Sequence, residues 1–112
     1  MITTKLSPTL QRAFDRLDLD PIAIEAFCHR WHIVRLALFG SVLRDDFCDQ
    51  SDVDLLLSFE ADYRLTWGGS IEIQAEAEAI FGRSVDLVNL KYLKNPYRRT
   101  EILNTCEAIY HA

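Results

Sequence analysis

The amino-acid sequence predicts one small α/β domain, a mixed β-sheet packed with helices, and three observations predict it. Three short β-rich apolar runs stand out: 33–39 (IVRLALF), 53–59 (VDLLLSF) and 84–90 (SVDLVNL). Helical periodicity lies before, between and after them. The linkers set the pairing. About a dozen polar residues join the first two runs, which suits an antiparallel pair, whereas a helix between the second and third favours a parallel crossover.

The elements follow in order. Leu10, Phe14 and Leu17 recur at helical spacing, so a first helix spans 8–17. Asp18-Leu19-Asp20-Pro21 interrupts the chain and restarts it, with Asp20 as N-cap and Pro21 at the first helical position. The second helix runs to about His32 and turns Ile24, Phe27, Cys28 and Trp31 to one side. After the first strand, Gly40-Ser41 marks a turn, and the polar stretch 42–51 fits a short helical turn and loop. Residues 60–69 read as a loop hinged at Gly68-Gly69; Ser70 then caps a helix carrying Ile73, Ala77, Ile80 and Phe81, closed by Gly82. Pro96 begins a last helix with Ile102, Leu103, Cys106, Ile109 and Tyr110 on its apolar side.

Bulk properties narrow the function. At 112 residues the chain is expected to form a single domain over 1–112, with the role of its first 20 residues open. Twelve Lys and Arg against 17 Asp and Glu give a net charge of −5, which argues against direct binding of nucleic acid through a basic footprint. No apolar run is long enough for a membrane span, and the N-terminus lacks the pattern of a signal peptide. Three widely spaced cysteines, Cys28, Cys48 and Cys106, suit a reducing compartment, so a cytoplasmic location is expected. Cys28, His29 and His32 match no zinc spacing and read as part of the second helix.

The chemistry concentrates at two places. Asp52 and Asp54 alternate along a strand and project to one face, where their mutual repulsion becomes favourable if a divalent cation is bound. Asp86, one residue into the apolar part of the third strand, is in register to join them if the strands are neighbours. The triplet alone is weak evidence, because Asp18-Leu19-Asp20 has the same pattern and is explained by capping. Gly40-Ser41 supplies the other half: a strand-ending glycine allows close backbone approach to a phosphate, and the serine hydroxyl and nearby N–H groups can hold its oxygens. Arg44, three residues on, can reach a phosphate or pair with Asp45, Asp46 or Asp49. Lys91, Lys94, Arg98 and Arg99 read as a solvated or partner-facing patch.

Taken together, GSVLRDDFCDQSDVDLLLSF resembles the GS-x10-DxD motif of the DNA polymerase beta-like nucleotidyltransferase superfamily. More narrowly, LFGSVLRDDF, SDVDLLLSFE, FGRSVDLVNL and the RRTEIL…AIY tail resemble the MntA-like minimal nucleotidyltransferases, antitoxins of HEPN (HepT-like) toxins, from Ile24 onward. That resemblance implies a polymerase beta palm-like fold, Gly40 and Ser41 holding the triphosphate, and Asp52, Asp54 and Asp86 ligating two Mg²⁺ ions. It further implies transfer of AMP from ATP to a tyrosine of the HEPN toxin partner. The chain's length leaves little room for an acceptor domain, which points to a second protein as acceptor. Two other readings stay open: an antitoxin that only occludes the toxin, and a small-molecule transferase of the antibiotic-modifying kind.

Overall fold

The structure, a computed structural model, describes Ile2 and residues 6–112. Helix α1 (Pro8–Leu17) starts at Ser7, whose hydroxyl accepts from Leu10 N at 3.1 Å. Asp18 ends it in the left-handed region (φ 50°), and Asp20 then caps α2 (Pro21–Arg30) by accepting from Ile22 N at 3.0 Å. Strand β1 (Ile33–Phe39) runs into a short 3₁₀ turn at Gly40–Leu43. After a loop come β2 (Val53–Phe59), α3 (Trp67–Phe81), β3 (Val85–Asn89), a second 3₁₀ turn at Leu90–Tyr92, α4 (Pro96–Thr105) and β4 (Glu107–His111).

The sheet has the order β3-β2-β1-β4. β1 pairs antiparallel with β2 and with β4, and β2 pairs parallel with β3, so the sheet is mixed as expected. Its two faces are separate. Leu36, Leu38, Leu55 and Leu57 point toward α1, α2 and α3, whose Phe14, Phe27 and Phe81 share the main core. Ala37, Phe39 and Leu56 point the other way, where Ile102 of α4 and Leu93 cover them. With both faces covered, β1 and β2 read as continuous apolar runs rather than alternating ones.

Two expectations are corrected. The last helix does not continue to Tyr110: it ends at Thr105, Cys106 is extended (φ −68°, ψ 153°), and residues 107–111 form β4. Ile109 and Tyr110 are buried, 0% and 3% exposed, because this segment pairs with the open edge of β1. A short apolar run of this kind satisfies both the 3.6 and the 2.0 period, and here the free strand edge wins. Nor do Gly68-Gly69 hinge a loop, or Ser70 cap α3. Thr66 is the cap, accepting from Gly69 N at 2.9 Å, so both glycines lie in the first helical turn. Gly69 is there for space: a β-carbon would come within 3.0 Å of Thr66 Oγ1 and 3.2 Å of Leu65 Cδ1.

Candidate active site

The two halves of the motif meet at the junction of β1 and β2. Phe39, the last residue of β1, pairs with Asp54, so Gly40 turns away from the sheet beside the Asp54 side chain. Gly40 has φ +76°, and a β-carbon there would overlap Asp54 Oδ2 and lie 3.1 Å from its Cγ. Glycine is therefore required twice, for the left-handed backbone and for the close approach of a carboxylate. No side chain caps the turn at Gly40–Leu43, whereas all four α-helices carry a side-chain cap. The N–H groups that open it have no side-chain acceptor.

The parallel pairing of β2 and β3 sets Asp54 beside Asp86 in register. Neighbouring strands lie about 4.8 Å apart, so paired side chains on one face are adjacent. Asp52 lies just before β2, near enough for its charge to act on Asp54. Asp54 responds to this crowding. Its pKa is raised above the ordinary carboxylate value, first by burial and then by the charges of Asp86 and Asp52, while Arg44 and Arg98 pull it down. None of the three carboxylates accepts a hydrogen bond or joins an ion pair from the described residues. The face shared by Asp54 and Asp86 is that of Leu56 and Ile102, so α4 forms the opposite wall.

Between these walls lies a cleft of about 690 Å³, bordered by Gly40, Ser41, Arg44, Asp54, Arg98 and Glu101. A larger cleft, about 880 Å³, opens at the far ends of β2 and β3 beside Tyr63, Asn89 and Tyr92 and contains none of the carboxylates. Volume does not identify the site here; chemistry does. Within the smaller cleft Arg44 is already paired, Nε to Asp46 Oδ1 at 3.2 Å, which realises one of its two expected roles without removing it from the cleft wall. Arg98 also borders this cleft, and so departs from the reading of residues 91–99 as wholly solvated or partner-facing. Cys28, His29 and His32 form no metal site: the Cys28 thiol is fully buried, and burial pushes its pKa up to about 12.

Two arginines that sequence patterns did not single out support the site from behind. Arg16 of α1 donates to the carbonyls of Arg44 (2.8 Å) and Val42 (3.4 Å), bracing the end of the Gly40 turn. This gives the N-terminal helix a role besides its contribution of Leu10, Ala13 and Phe14 to the core. Arg83 donates to the carbonyls of Cys48 (3.0 Å) and Ser51 (3.2 Å) and lies over the Phe47 ring, fixing the loop that delivers Asp52. Neither contact has a local pattern, because each joins segments about thirty residues apart.

Three aspartates are a hard oxygen donor set suited to Mg²⁺. Among the described residues, however, no three Asp, Glu, His or Cys side chains are grouped so as to hold a metal ion, and of the three aspartates only Asp54 lines the cleft. Carboxylates without a partner among the described residues, set beside a glycine turn, are the class of arrangement whose chemistry suits a phosphate-bearing ligand.

Comparison with known proteins agrees with that class. The family model described as "Nucleotidyltransferase domain" matches residues 21–109, and the chain belongs to this family. It is 35% identical over 71 residues to the protein adenylyltransferase MntA of Thermococcus cleftensis, covering 63% of this chain and 70% of that one. It is 30% identical over 73 residues to a provisionally named protein adenylyltransferase of Methanocaldococcus jannaschii, covering 65% and 73%. Among solved structures, a provisionally assigned minimal nucleotidyltransferase superposes with a TM-score of 0.63 at 31% identity, over 78% of this chain and 86% of that one. The MntA–HepT toxin–antitoxin crystal structure shares the fold at 15% identity, with a TM-score of 0.57 over 82% and 70%. The chain is thus a nucleotidyltransferase of the minimal, polymerase beta palm-like type. No described helix is long and apolar enough to cross a membrane.

Proposed function

We propose that this chain is a Mg²⁺-dependent protein adenylyltransferase that transfers AMP from ATP to a tyrosine of a HEPN-type (HepT-like) toxin and thereby silences it in the cytoplasm. The observation that carries the reading is Asp54, whose carboxylate lies against Gly40 on one side and beside Asp86 on the other, with no hydrogen-bond or ion-pair partner among the described residues. The adenylyltransferase names of the two relatives support the nucleotide and the protein acceptor, and the MntA–HepT structure supports the type of partner.

The reaction is an in-line displacement at the α-phosphorus. The tyrosine oxygen forms a new bond to phosphorus, the bond to the α,β-bridging oxygen breaks, and pyrophosphate leaves with that electron pair. Gly40 and Ser41 hold the triphosphate through backbone N–H groups and the serine hydroxyl. Asp52, Asp54 and Asp86 would hold magnesium, two ions in the full site, which supplies Lewis-acid charge for the acceptor oxygen and the departing pyrophosphate. Asp86, on the outer strand of the trio and exposed, faces the arriving acceptor and helps remove the hydroxyl proton. Arg44, which borders the cleft beside Gly40 and Ser41, adds positive charge for the nucleotide.

Incubation with α-labelled ATP, Mg²⁺ and the cognate HEPN toxin tests this reading. Wild type is expected to label the toxin on tyrosine, and Asp52→Asn with Asp54→Asn to lower labelling on the order of a thousandfold, the loss of several kcal/mol of metal assistance. Equal labelling by the two proteins, or none by wild type, would contradict it.

A further inference from the structure

We propose that Arg98, in the first turn of α4, is the guanidinium that grips the phosphates of the nucleotide, while Arg44 chiefly fastens its own loop. The inference rests on the nucleotidyl-transfer reading and assigns a residue that the motif does not contain. Three observations lead to it.

The first is position. Arg98 borders the cleft that also contains Gly40, Ser41 and Asp54, and α4 packs through Ile102 on the face of the sheet that carries the carboxylates. The second is availability. The Arg98 side chain makes no ion pair or hydrogen bond with any described residue, including Glu101 one turn along the same helix. Arg44 differs: its Nε is bonded to Asp46 and its carbonyl to Arg16, so its loop is held from two sides. Arg99, the next residue, is also engaged, donating to the carbonyls of Leu90 and Leu93. Among the arginines that border the cleft, Arg98 alone keeps its whole donor fork for a ligand.

The third is the lack of another anion receptor on that wall. The start of α4 is already satisfied, because Asn95 Oδ1 accepts from Tyr97 N (3.0 Å) and Arg98 N (3.2 Å). Phosphate held from the α4 side must therefore be held by a side chain. A guanidinium presents paired N–H groups that match two phosphate oxygens, and the Gly40–Ser41 turn lines the same cleft. A nucleotide held in this cleft has its phosphates between Arg98 and the Gly40–Ser41 turn, beside Asp54.

Calorimetric titration of the full chain with Mg²⁺ and α,β-methylene-ATP, and separately with adenosine, separates phosphate from nucleoside contacts. Arg98→Ala is expected to weaken the triphosphate analogue about tenfold or more, the range for charge-assisted hydrogen bonds, and to leave adenosine unchanged. Arg98→Lys should fall between, and Arg44→Ala should lose less than Arg98→Ala. Wild-type affinity in Arg98→Ala, or equal losses for analogue and adenosine, overturns the assignment while leaving nucleotidyl transfer intact. If wild type itself binds no triphosphate analogue, the transfer reading fails and this assignment fails with it.

Discussion

In Asp18-Leu19-Asp20 both aspartates serve the backbone: Asp18 closes α1 in a left-handed conformation and Asp20 accepts the N–H of Ile22 to open α2. In Asp52-Val53-Asp54 the flanking residues have the same charge and spacing, yet neither carboxylate bonds to a described residue. The difference comes from what the chain does around them. Pro21 follows the first triplet and starts a helix with free N–H groups that need an acceptor. The second triplet enters a sheet whose ladder already satisfies the backbone, and it arrives beside Asp86 and Gly40. Burial, and then the like charges of Asp86 and Asp52, raise the pKa of Asp54, the pattern expected of a carboxylate that awaits a cation. The same short pattern is structural where the backbone is short of acceptors and functional where it is not.

Gly40→Ala should give the largest break in the comparison, because it pushes a methyl group into the Asp54 carboxylate and forces alanine to φ +76°. The left-handed conformation costs about 1–2 kcal/mol of stability, and displacing Asp54 from its place should lower AMP transfer on the order of a hundredfold. Thermal unfolding and initial rates check the two effects. Asp20→Ala should do the reverse, costing about 1 kcal/mol through the lost cap with transfer per folded molecule unchanged. A fall in specific activity would mean that the first triplet is not purely structural.

A smaller effect lies in the pH dependence of folding without metal. A carboxylate whose folded pKa is raised binds its proton more tightly in the native state, so its ionised form destabilises the fold. That cost is absent below the unfolded pKa and fully present above the folded one. The stability of wild type relative to Asp54→Asn should therefore decline as pH rises through the carboxylate range and level off above it. Denaturant midpoints for both proteins from pH 3 to 7 would show this; a relative stability that rises with pH would show instead that Asp54 is favourably paired.

Much of this was readable in the sequence, for identifiable reasons. β1 and β2 were legible because both sheet faces are buried there, which gives unbroken apolar runs, α1 because Leu10, Phe14 and Leu17 recur at helical spacing, and α2 because Asp20 and Pro21 mark its start. Asp54 and Asp86 were placed together by register, which follows from the parallel crossover. What failed depends on neighbours distant in sequence. β4 is a strand because β1 has an open edge, and Thr66 rather than Ser70 caps α3 because Gly69 leaves room for it. Arg16 and Arg83 join separate segments, and Arg98 faces the cleft only because Ile102 anchors α4 over the sheet.

The central claim, that Asp52 and Asp54 lack protein partners because their partner is a metal-bound nucleotide, is tested most directly by titrating Mg²⁺ and a non-hydrolysable ATP analogue into three proteins. Wild type and an Asp18→Asn, Asp20→Asn variant are expected to bind with the same affinity once folded. Asp52→Asn with Asp54→Asn is expected to lose the magnesium-dependent binding while folding at least as stably as wild type without metal. Retained magnesium-dependent binding in that last protein, or a marked loss of its metal-free stability, would contradict the account.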